Sequence, residues 1–205
     1  MQTHVQEAIT DLKLKRIANV LHWTGWAAFW VQLILLAATS LMLILAISGR
    51  TFNRAIETTA PGGQVVNFNQ GTTPGLGISM FWAGCGILAL LFGLFIAFRL
   101  TRLARRLFNS NVVNHPHKSE VLKVLRWGVI AGLVGMLLTI LGGGVAIGVL
   151  LSKSITQPQG VAIYDPNRII RSLDIFVAAA NMNGITAHFV GTVTFLSLIN
   201  WLSRE

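Results

Sequence analysis

Charge is scarce in this chain. Asp, Glu, Lys and Arg make up 11% of its 205 residues, and four stretches contain none of them: 25–48, 75–98, 127–152 and 175–202. These stretches run to 24, 24, 26 and 28 residues. At about 1.5 Å per helical residue, each can cross the roughly 30 Å hydrocarbon core of a bilayer. A water-soluble fold needs ionised groups on the outer faces of at least some helices, so their absence excludes one. Cysteine is limited to Cys85, inside the second stretch, which excludes a disulfide framework. No nucleophile motif, phosphate-binding loop, haem signature or pair of carboxylates is present, and no enzyme is expected.

What remains is an all-α membrane protein: four transmembrane helices in one domain, residues 1–205. The first span is too long, and starts too far in, for a cleaved signal, and no transit peptide precedes it. Val5, Ile9, Leu12 and Ile17 recur near helical spacing beside Lys13, Lys15 and Arg16. That pattern suits a short interfacial helix before the first span, or a solvated tail.

The net charge of +9 would suggest nucleic acid in a soluble protein. Here its distribution sets orientation instead, and no nucleic-acid partner is expected. The N-terminal lead, the loop 99–126 and the C-terminus carry eleven of the sixteen basic residues, and the other two connections carry five. The positive-inside rule therefore places both termini and the 99–126 loop in the cytoplasm. Trp23, Trp26, Trp127 and Trp201 gather at that face, where an amphipathic ring suits the headgroup layer. Arg99, Arg102, Arg105 and Arg106 continue the second helix beyond the bilayer, as anchors for anionic headgroups or a surface for an acidic partner.

Small residues mark the packing faces. The third span holds Gly128/Gly132 and Gly144/Gly148 at GxxxG spacing, with the triplet Gly142, Gly143, Gly144. The fourth has the ladder Ala180, Gly184, Ala187, Gly191. In lipid such positions let helix backbones approach closely. The triplet either packs or loosens the third helix to offer carbonyls to a substrate. The same faces suit a homo-oligomer or a larger membrane complex.

The fourth span is the most polar. Asp174, Asn181 and His188 lie seven residues apart, drifting about 20° per step, and share one stripe. Ser172 is expected to cap this helix, with Asp174 in its first turn against the positive end of the dipole. An ionisable group at the depth of His188 is a functional candidate, with interhelical hydrogen bonding as the plainer role. Gln32, Met80, Cys85, Met136 and Met182 could complete a ligand set for a passing metal ion. His115 and His117 form a weaker candidate pair in the 99–126 loop. No resident cofactor is expected.

Four segments carry a family resemblance: 25–33 (GWAAFWVQL), 99–107 (RLTRLARRL), 121–154 (VLKVLRWGVIAGLVGMLLTILGGGVAIGVLLSKS) and 172–196 (SLDIFVAAANMNGITAHFVGTVTFL). From Lys13 onward, apart from the first outer connection 49–74, the chain resembles a four-span family shared by cyanobacteria and plastids. That family's plant member is known both as a subunit of the inner-envelope protein-import translocon and as a chloroplast iron permease. The resemblance implies a cyanobacterial-type member in a plasma or thylakoid membrane. It also implies one of two functions: an iron-type cation permease, or an accessory, assembly or translocon subunit. Arg102, Arg105, Arg106, Asp174, Asn181 and His188 match the family pattern and would carry a shared role.

The orientation is testable by protease protection. A tag inserted in the 99–126 loop should resist external protease in intact cells and become cleavable on permeabilisation, whereas a tag in the 49–74 connection should be cleaved from outside.

Overall fold

The computed structural model describes residues 2–54, 75–108, 118–156 and 170–204. They form four helices: α1 (Gln2–Arg54), α2 (Leu76–Phe108), α3 (Lys118–Thr156) and α4 (Ser172–Arg204). No strand occurs among the described residues. The candidate spans within them are Lys15–Gly49, Leu76–Arg106, Ser119–Thr156 and Ser172–Arg204. The chain is an integral membrane protein. Its four helices are long and apolar enough to cross a bilayer, and they turn large hydrophobic side chains outward. Leu88 is 67% exposed and Ile34 64%. Such surface is a liability in water and the normal solvent-facing surface in lipid.

Each helix outruns its charge-free stretch. The N-terminal lead is helical as expected, but it is continuous with the first span in α1 rather than a separate element. α2 runs on past Phe98 through Arg99, Arg102, Arg105 and Arg106. α3 passes through Gly142, Gly143 and Gly144 without a break, so the triplet is no helix terminus. Gly75, at a φ of 94°, precedes α2, and its carbonyl accepts a hydrogen bond from the Ser79 amide at 3.1 Å. A left-handed φ of that size suits glycine and strains other residues. His115, His117 and the tips of all three connections lie outside the described residues.

The residues fall into two compact units. The first comprises 1–36, 88–136 and 186–205. Its core is aliphatic with one large ring: Leu21, Leu100, Leu125, Phe195 and Leu202 are almost completely buried. Lys15, Arg16, Lys123, Arg126, Arg204 and the four arginines of α2 are all exposed and all belong to this unit. The four tryptophans assigned to the cytoplasmic face also belong to it.

The second unit comprises 37–87 and 137–185, with a small apolar core of Ala46, Leu76, Ala146 and Val177. Polar contacts also hold this unit together. One is an ion pair between the last turn of α3 and the first turn of α4, in which Lys153 Nζ lies 2.5 Å from Asp174 Oδ2. Both side chains are nearly inaccessible, at 5% and 3%. The sequence reading placed Lys153 in a connection, but α3 continues to Thr156 and carries it into the packed interior.

Asp174 also corrects the expected cap. The Arg171 carbonyl accepts the first helical bonds, from the amides of Asp174 and Ile175, which makes Arg171 the capping residue. The Asp174 carboxylate reaches back to the Arg171 amide at 3.1 Å, in the manner of a capping box. Ser172 is exposed and already helical. One carboxylate thus closes a helix end and neutralises a buried ammonium.

Removing one partner of such a pair leaves the other charge buried and unpaired, at a cost of about 3–5 kcal/mol. Lys153→Met and Asp174→Leu should each lower the unfolding temperature markedly in detergent. The double change Lys153→Met/Asp174→Leu should recover most of that loss, short of the roughly 1 kcal/mol that the cap contributes. Additive losses in a thermal double-mutant cycle would show that the pair is not coupled.

Candidate functional site

Polar side chains in hydrocarbon need partners, because lipid offers none. In both units several of them sit where a facing glycine leaves room.

In the first unit His188 on α4 is 2% exposed. Its imidazole lies over Gly135 of α3, where a Cβ would collide with Cε1, Nε2 and Nδ1. One turn along, Thr192 sits against Gly132, and its hydroxyl donates to the His188 carbonyl at 2.8 Å. Phe195 then packs on Gly128, where a Cβ would come within 2.7 Å of its ring. His188, Thr192 and Phe195 recur at three- and four-residue steps, as do Gly135, Gly132 and Gly128. They make a run of knobs and holes of opposite chain direction. Gln32 on α1 does the same against Gly191 of α4. Its Oε1 is buried without a hydrogen-bond partner, as is His22 Nδ1.

In the second unit Asn181 is fully buried. Its Nδ2 donates to the Val177 carbonyl at 2.9 Å and to Ser79 Oγ at 3.2 Å. Ser79 Oγ donates onward to the Gly142 carbonyl at 2.6 Å. The glycine triplet thus does present a carbonyl, but a serine of α2 takes it up. Asn181 Oδ1 has no hydrogen-bond partner and lies 2.4 Å from where a Cβ on Gly142 would be. Thr139 of α3 fits between Gly86 of α2 and Gly184 of α4, where Cβ atoms would approach its methyl to 2.5 and 2.9 Å. Asn183 Nδ2 donates to Thr39 Oγ1 of α1 at 2.7 Å.

The stripe of Asp174, Asn181 and His188 is real as a buried face of α4, but its members have separate surroundings. Asp174 pairs with Lys153, Asn181 joins Ser79, and His188 seats on Gly135. Cys85 is a half-buried free thiol, and Met182 is 56% exposed. Among the described residues no three His, Cys, Asp or Glu side chains come together as a metal cluster. The ladder Ala180, Gly184, Ala187, Gly191 is wholly buried.

The two GxxxG pairs of α3 differ. Gly128 and Gly132 are filled by Phe195 and Thr192, whereas a Cβ on Gly144 or Gly148 would meet open space, and both residues are exposed. Sequence spacing could not separate them. It also missed Lys153, Ser79 and Thr139, single polar residues whose only signal is that they interrupt apolar runs.

A family model described as "Protein of unknown function (DUF3611)" matches residues 11–203. The chain is also 26% identical over 197 residues to a protein of Arabidopsis thaliana named Protein TIC 21, chloroplastic. That similarity covers 91% of this chain and 58% of the plant protein, so the chain spans less than two thirds of that relative's length. No solved structure matches.

The glycine seats differ from the open positions in a measurable way. Gly135→Ala forces the imidazole of His188 to move, and overpacking of this kind typically costs about 1–3 kcal/mol. The thermal midpoint in detergent should fall by several degrees, while Gly144→Ala, which meets open space in mid-helix, should raise it slightly. Equal midpoints for the two variants would contradict the seating of His188.

Proposed function

This chain belongs to the DUF3611 family, and on that premise we propose that it is a non-catalytic membrane subunit that docks on a larger membrane complex. The observation that carries this reading is the seating of His188 on Gly135. The ionisable residue best placed to touch a cargo fills a helix–helix notch instead. Asn181 is engaged likewise with Ser79 and Val177. The similarity to the plant protein, and the translocon role that the family resemblance implies, support the same reading.

Docking then falls to what the helices leave open. Gly144 and Gly148 form an exposed small-residue notch on α3, flanked by the exposed Leu141, Ile147 and Leu151. A helix of a partner subunit fits such a notch, because association in lipid relies on close backbone approach.

A second reading, permeation of an iron-type cation, draws on Gln32 Oε1 and Asn181 Oδ1, two buried oxygens without hydrogen-bond partners. Carbonyl-type oxygens are acceptable ligands for hard cations in transit.

One pair of measurements separates the readings. A subunit should co-purify with a stoichiometric partner after mild solubilisation, and Gly144→Leu/Gly148→Leu should lose that partner while keeping the monomer's thermal midpoint. His188→Ala should leave iron uptake by vesicles unchanged. Purification as a lone homo-oligomer stabilised by metal, with uptake abolished in His188→Ala and Asn181→Ala, would overturn the subunit reading in favour of the permease.

A further inference from the structure

The first unit contains a groove of about 270 Å³ at the end of α2 and the start of α3. Its walls are of two kinds. Phe95 and Phe98 line one part; Arg99, Arg102 and Arg106 line the other, and Glu120 of α3 borders it. Phe95, Arg99, Arg102 and Arg106 follow one another at steps of four, three and four residues, so they share one face of α2. The arginines are exposed, and among the described residues no carboxylate pairs with them. Phe95 and Phe98 are 58% and 49% exposed.

We propose that this groove is a binding site for a single anionic glycerophospholipid whose headgroup carries a hydroxyl. The phosphate lies among the guanidinium groups of Arg99, Arg102 and Arg106, which match it by charge and by their fork of N–H donors. The first methylenes of the acyl chains run along Phe95 and Phe98. Glu120 offers acceptor oxygens to the headgroup hydroxyl and repels a bare phosphate.

The arrangement along α2 favours a lipid over a soluble acidic partner. From Phe95 to Arg106 the helix rises about 16 Å, enough to pass from the acyl region into the headgroup layer. A soluble peptide reaches the arginines but gains nothing from aromatic rings at the depth of the hydrocarbon. A phospholipid is the ligand whose own polarity changes over that distance in the same order. A lipid held in this groove is compatible with a docking subunit and with a permease alike.

The test is native mass spectrometry of the full chain in neutral detergent with equal amounts of dioleoylphosphatidylglycerol and dioleoylphosphatidylcholine. The wild-type protein should retain the glycerol lipid preferentially, and Arg102→Gln/Arg106→Gln should reduce that preference on the order of ten-fold, given what each basic residue contributes near a membrane surface. Lys123→Gln/Arg126→Gln removes the same charge from elsewhere in the unit and should leave the preference intact. Phe95→Ala/Phe98→Ala keeps every charge and should weaken retention, which decides the matter if the arginine variant fails to fold. Glu120→Gln should narrow the preference for phosphatidylglycerol over phosphatidic acid. Equal loss in both charge variants would mean diffuse attraction and overturn the site. Displacement of the lipid by glycerol 3-phosphate or by an acidic peptide would reassign the groove to a soluble anion or a protein partner, and would also overturn it.

Discussion

Lipid cannot solvate a backbone or an amide, and this limit shapes the interior of both units. Helices in hydrocarbon gain little from burying leucine, because lipid tails are as apolar as leucine itself. They gain from close approach and from polar groups that meet inside the protein. Here the two needs are met by one device, the polar or aromatic side chain seated on a glycine of the neighbouring helix. His188 on Gly135, Thr192 on Gly132, Phe195 on Gly128, Gln32 on Gly191 and Thr139 between Gly86 and Gly184 are instances of it. A glycine at each hole shortens the interhelical distance, and a hydroxyl, amide, imidazole or phenyl ring at each knob secures the register.

The device explains why the fourth helix is the most polar of the four and yet offers no metal cluster among the described residues. Polarity that reads as a ligand stripe along one helix becomes a set of separate contacts once three other helices are supplied. Asp174 shows this most plainly. Alone it is a helix-dipole residue. With α3 beside it, the same carboxylate holds the Lys153 ammonium at 2.5 Å and caps the Arg171 amide. A charged pair that remote from water costs a great deal to desolvate and returns that cost only through good geometry, so its value lies more in fixing how the end of α3 meets the start of α4 than in net stability.

The legibility of the chain in its sequence follows the range of each force. The four spans were legible because exclusion of charge from hydrocarbon acts on every residue of a 24-residue stretch, and no tertiary context is needed to see it. The grouping of exposed arginines and tryptophans in the first unit was legible for the same reason. The exact helix ends were not. α3 carries Lys153 past the charge-free limit because Asp174 is there to receive it, and that partner sits 21 residues away. The cap moved from Ser172 to Arg171, whose carbonyl takes the first helical bonds while the Asp174 carboxylate accepts from its amide. Gly128/Gly132 and Gly144/Gly148 are identical as spacing and opposite as surface, since whether a notch is filled depends on Phe195 and Thr192, residues of another helix.

That last contrast bears on function. A glycine inside a helix weakens it by about 1 kcal/mol relative to alanine, so two exposed glycines one turn apart are a local loss with no gain inside the protein. Filled notches offset that loss through the contacts they admit; Gly144 and Gly148 have none of their own. The imbalance is removed if another helix completes the contact, whether from a partner subunit or from a second copy of this chain. The filled notch at Gly135 engages His188 inside the protein and the open notch at Gly144 leaves room for a neighbour, and both support the proposed assembly over permeation.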